Sequence, residues 1–98
     1  MLIRFNPEAD AELTEARQWY SHYRQDLDLE FMQCIDDVLA RVVRNPHFFP
    51  IVYGNLRRAV VRRFPFAVLY EVNANEIQVI AVFHSRRNPE VWKSRVGW

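Results

Sequence analysis

The feature that most constrains this chain is a change of hydrophobic period at Asn45-Pro46. Before it, apolar residues recur at helical spacing, first in Leu13, Ala16, Tyr20 and Tyr23, then in Phe31, Ile35, Val38, Leu39 and Val42. After it come three stretches rich in Val, Ile, Phe and Tyr: Leu56 to Phe64, Ala67 to Val72 and Glu76 to Phe83. Proline disfavours the helical conformation of the residue before it, so the second helix ends at Asn45. The polar segment Arg24 to Asp28 separates the two helical stripes and makes them an antiparallel hairpin. Such a hairpin needs an apolar surface to lie on, and the strands supply it.

The two ends complete an α+β arrangement. Leu2 to Phe5 alternates as a first strand, and Asn6-Pro7 starts the first helix, with Asn6 expected to cap and Pro7 suited to the first helical position. Phe64-Pro65-Phe66 and Asn73-Ala74-Asn75 supply the bends of a meander. A second cap-and-proline signature, Asn88-Pro89-Glu90, predicts a closing helical turn that carries Trp92, Lys93 and Arg95. The expected fold is an N-terminal strand and an antiparallel helical hairpin on a small, mainly antiparallel sheet. With 98 residues, half of them hydrophobic, residues 1–98 are expected to form one domain around one core. Leu39 is expected in that core, as are Trp19, Tyr20, Tyr23, Phe31, Phe64, Phe66 and Phe83.

Cys34 is the single cysteine, so no internal disulfide forms, and no signal peptide is legible; a cytoplasmic location is the expectation. The longest apolar runs fall short of the roughly 20 residues a membrane helix needs. His22, His47, His84 and Cys34 lack the close paired spacing of structural zinc sites, so neither metal nor cofactor is expected. Two glycines cannot build a nucleophile elbow or a phosphate-binding loop.

Charge is divided along the chain. Residues 1–45 carry five Arg against nine Asp and Glu, a balance of −4, and residues 46–98 carry seven Arg and one Lys against three Glu, a balance of +5. Arg57, Arg58, Arg62 and Arg63 fall in one seven-residue window, and Arg86 and Arg87 follow His84. Arginine keeps its charge and offers a planar fork of donors to phosphate and carboxylate, so an anionic macromolecule is the expected partner. On a strand, Arg58 and Arg62 would share one face and Arg57 and Arg63 the other, one pair lining a groove and the other free to pair with the acidic helices. His84, at a strand end beside two arginines, fits either proton exchange with a phosphate ester or a hydrogen-bonded structural role. Trp92, Tyr53 and Tyr70 are open between core and contact surface.

The order of these pieces resembles the RelE/ParE toxins of type II toxin-antitoxin systems. The resemblance runs through Ala11-Glu12-Leu13, Asn45-Pro46, Leu56-Arg57-Arg58, Arg63-Phe64-Pro65-Phe66, Tyr70-Glu71-Val72 and His84 to Pro89. It implies a cytoplasmic toxin that is held inactive in a hetero-oligomer with a cognate antitoxin. Ala67 stands where RelE-like nucleases carry an arginine, and Arg86-Arg87 with the Pro-Phe after Arg63 is similar to the ParE and plasmid-stabilisation branch. The resemblance thus implies inhibition of DNA gyrase by binding. The alternative is ribosome-dependent mRNA cleavage, with His84, Arg57 and Arg63 as catalytic residues. Target or antitoxin contact is expected at Arg57, Arg58, Arg62, Arg63, Arg86, Arg87 and Trp92.

Overall fold

The computed structural model describes residues 1–96. Its elements are β1 (Leu2–Phe5), α1 (Pro7–Tyr23), α2 (Leu27–Arg44), β2 (Ile51–Tyr53), β3 (Leu56–Val60), β4 (Phe66–Asn73), β5 (Glu76–His84) and α3 (Glu90–Lys93). Pro7 opens α1 as expected, but Asn6 does not cap it with its side chain. Its Oδ1 instead accepts from Gln78 Nε2, and its backbone N–H donates to Val79 O at 2.9 Å, which fastens the β1–α1 junction to β5. Between the helices, Asp26 adopts a left-handed conformation at φ 65°, reversing the chain within three residues. No helix among the described residues is long and apolar enough to cross a membrane.

The strands form one sheet in the order β1-β5-β4-β3-β2. β1 runs parallel to β5, pairing Leu2–Phe5 with Glu76–Val79, and every other pair is antiparallel. The periodicity did not reveal β2, because three residues after Pro50 give no measurable alternation. It turns into β3 through Gly54, whose φ of 57° suits a residue without a β-carbon.

A bulge in β5 decides which face each later residue presents. Tyr70 pairs with Val79 and Leu69 with Ala81, so Ile80 is left unopposed. Ile77 and Val79 face the helices, and the extra residue shifts that role to Val82. Phe83 is sent to the opposite side.

The main core lies between the sheet and the hairpin. Phe31, Ile35, Val42, Val68, Tyr70, Ile77 and Val79 are inaccessible to solvent there. Tyr20, Phe31, Phe64 and Phe66 meet mostly edge to face, with centroids 5.0–6.2 Å apart. A smaller cluster of Leu56, Leu69, Ile80, Ala81, Phe83 and Trp92 covers part of the other face, with α3 as its lid.

Three core expectations are corrected here. Trp19 and Tyr23 are 60% and 70% exposed, because at about 100° per residue they sit some 60–100° off the line of Tyr20. Leu39 is half-buried at the margin, and the stripe of α2 is completed by Ile35, Val38 and Val42. Tyr70 and Trp92, left open above, are both core residues.

Candidate functional site

The arginine window does not make one cationic face. β3 ends at Val60, so only Arg57 and Arg58 obey strand alternation, and Arg62 and Arg63 lie in the turn to β4. That turn is tight: Val61 N–H donates to Phe66 O at 2.9 Å, and Arg63 sits at φ 70°, a conformation that costs a side chain bearing a β-carbon about 1–2 kcal/mol. The four guanidinium groups therefore go to four different surroundings.

Arg57 faces the helices and donates through Nη1 to His47 O at 3.0 Å and Phe49 O at 2.7 Å, holding the α2–β2 loop in place. Beside it, Tyr70 OH donates to Pro46 O at 2.6 Å, and burial pushes the phenol pKa up to about 12 against a small opposing effect from Arg57. Arg63 reaches the acidic helix, with Nη2 2.8 Å from Glu30 Oε1. Arg24 approaches the same carboxylate at 3.3 Å, and bonds from Arg63 and then Arg24 hold Glu30 below the usual carboxylate range. Arg62 lies against the flank of α2. Arg58 is exposed on the face opposite the hairpin, beside Val60, which is 59% exposed.

His84 is separated from these groups. It pairs across the sheet with Phe66, whereas Arg57 pairs with Tyr70. They are thus about 13 Å apart along the strand direction and about 10 Å across it. Arg86 N–H donates to His84 Nδ1 at 3.1 Å, so the ring of neutral His84 carries its proton on Nε2. His84, Arg57 and Arg63 do not converge, and Ala67, between Val60 and Phe83, brings no cation to the centre of the sheet.

What the sequence did not reveal is an apolar cleft of about 560 Å³ between the C-terminal half of α1 and the end of β5. Trp19, Tyr20, Tyr23, Phe66, Val82 and His84 line it. The exposed Trp19 and Tyr23 rings stack at its rim, 5.3 Å apart and 16° from parallel. They are four residues apart, so they share one edge of the helix. The spacing carries this signal, but it does not distinguish a rim from the core. Arg87 lines both this cleft and a second of about 410 Å³ on the opposite face, where Arg58, Val60 and Trp92 lie. Trp92 forms the floor there and is 7% exposed, so it supports the surface rather than presenting itself for contact. Arg86 and Arg87 are both exposed.

The cleft is bounded by an ion pair. β1 stops opposite Val79, which leaves the outer edge of β5 unpaired beyond that point. There Glu12 Oε1 accepts from Val82 N–H at 3.1 Å, and Arg95 Nη1 donates to Ile80 O at 3.2 Å. The two side chains also bind each other at 2.9 Å, and that bond raises the Arg95 pKa. A free strand edge is thereby blunted by side chains.

Comparison with known proteins agrees with this architecture. The family model described as ParE toxin of type II toxin-antitoxin system, parDE, matches residues 3–89. The toxin ParE2 of two Mycobacterium tuberculosis strains is 24% identical over 96 residues, covering 97% of this chain and 91% of the relative. A solved chain from the chromosomal ParDE system of P. aeruginosa superposes with a TM-score of 0.62 at 18% identity, over 86% of this chain and 95% of that one. The chain belongs to the ParE toxin family of type II toxin-antitoxin systems.

Proposed function

We propose that the free protein inhibits DNA gyrase by binding it, and that a cognate antitoxin in the same cytoplasm neutralises it by filling the cleft between α1 and β5. The observation that carries this reading is the stacked pair Trp19 and Tyr23, two large aromatic side chains left in solvent at the rim of an apolar cavity. Exposed aromatic anchors beside a concave apolar surface are the usual material of a protein-protein hot spot. Target contact is assigned to the opposite face, through Arg58, Val60 and the Arg86-Arg87 segment. Because Arg87 borders both cavities, one antitoxin chain seated in the first also reaches the second.

The nuclease alternative gains no support from the geometry, since a cleavage by the ribose 2′-hydroxyl needs a base, an acid and cations around one phosphate. Arg57 is occupied by two carbonyls and Arg63 by Glu30, and neither forms a hydrogen bond with His84. A supercoiling assay on relaxed plasmid tests the proposal. Loss of gyrase activity that antitoxin restores supports it, and gyrase that is unimpaired by a stoichiometric excess of toxin rejects it.

A further inference from the structure

The turn that carries Arg63 at φ 70° lays Arg62 against α2, where it borders a concave site of about 270 Å³ together with Arg41 and Arg44. Cys34, Val38 and Ala40 are also in its lining, and Asp37 is its one carboxylate. Asp37 Oδ1 accepts from Gln33 Nε2 at 3.1 Å. Among the described residues none of the three arginines forms a salt bridge. Arg41 is steadied over the Phe49 ring, 5.5 Å from its centroid.

Gathering three like charges around one hollow raises the energy of the fold. The dipole of α2 offsets this for Arg41 and Arg44 in its last turn, but it gives no reason for Arg62, which comes from a different element. An anion in the hollow would give one. We propose that Arg41, Arg44 and Arg62 form a receptor for carboxylate side chains on an acidic peptide segment of a partner protein.

A peptide fits better than a nucleic acid because the surroundings are acidic. Asp36 and Asp37 are exposed on α2 itself, and residues 1–45 carry a net −4, which repels a long polyanion running across the hairpin. A local pair of carboxylates escapes that repulsion and meets the arginine forks bidentately. The site is distinct from the cleft between α1 and β5 and does not depend on gyrase being the target.

The test is an NMR titration of the isotope-labelled full chain with a short peptide of alternating glutamate and leucine. The proposal predicts saturable shifts centred on Arg41, Arg44 and Arg62 that weaken with salt. Arg44→Gln and Arg62→Gln should each lower the affinity about tenfold at unchanged melting temperature, while Arg17→Gln, an exposed position on α1 outside the hollow, leaves it as it was. Shifts that persist undiminished in both variants, or no saturable binding at all, would overturn it. Duplex DNA producing the same shifts at lower concentration than the peptide would also overturn it and give the site to nucleic acid.

Discussion

Glu12 and Arg95 meet as a bidentate ion pair, 2.9 Å at both contacts, although 83 residues separate them in sequence. The pair joins α1 to the segment after α3 and closes the outer edge of β5 where β1 ends. Their side chains are only 10% and 14% exposed, so the charges depend on each other. Glu12→Gln removes the counter-charge bonded directly to Arg95 and leaves it carbonyl partners, which should cost about 3 kcal/mol in urea unfolding. Replacing both by apolar residues of similar size, Glu12→Leu with Arg95→Met, should recover most of that loss. A single variant as stable as the parent would show that the edge is held by packing.

Stability should also fall at alkaline pH through Tyr70. Its phenol pKa rises from the ordinary 10.0 to about 12 because burial disfavours the phenolate. The folded state thus holds its proton more tightly than the unfolded chain. This contribution is complete below pH 10 and is lost as pH climbs towards 12, by an amount on the order of 2 kcal/mol. Burial raises Tyr20 as well, with the same sign, so comparison with Tyr70→Phe isolates the Tyr70 share. Urea midpoints below and within that window should converge between parent and variant as pH rises. Parallel curves would contradict the assignment.

The neighbouring arginines Arg57 and Arg58 should behave as opposites. Arg57→Ala removes the donor that serves two loop carbonyls and should destabilise the fold by roughly 1–3 kcal/mol. Arg58→Ala touches an exposed side chain and should change stability by less than about 0.5 kcal/mol. On the proposed target face it should instead weaken gyrase inhibition. Melting curves and a supercoiling titration of the two variants separate these roles, and a stable Arg57→Ala would show the loop contacts to be dispensable.

The aromatic rim should govern antitoxin affinity without governing the fold. Trp19 and Tyr23 are themselves mostly exposed, so Trp19→Ala and Tyr23→Ala remove little buried surface, and each is expected to lower antitoxin binding by about 2 kcal/mol at nearly constant melting temperature. Calorimetric titration of each variant with antitoxin provides the measurement. Affinities equal to that of the parent would move the antitoxin elsewhere on the surface.

The elements that announced themselves in the sequence are those whose signals are local. Pro7, Pro46 and the apolar stripe of α2 place the hairpin, and the runs of Val and Ile place β4 and β5. The candidate site was much less legible, because its geometry depends on one-residue irregularities. The unopposed Ile80 decides which face the end of β5 presents, and a turn starting after Val60 breaks the alternation that would have paired Arg58 with Arg62. Neither leaves a trace in composition. Trp19 and Tyr23 carried the right spacing, yet spacing tells which residues are neighbours on a helix and not which edge the sheet fails to cover. The link between Glu12 and Arg95 exists only in the folded chain.

Supercoiling of relaxed plasmid by purified gyrase, with toxin in stoichiometric excess, separates the proposed binding of gyrase from RNA cleavage. If the proposal holds, supercoiling stops, returns when antitoxin is added, and stops equally well with the His84→Ala protein. Gyrase that continues to supercoil in the presence of folded toxin would contradict it.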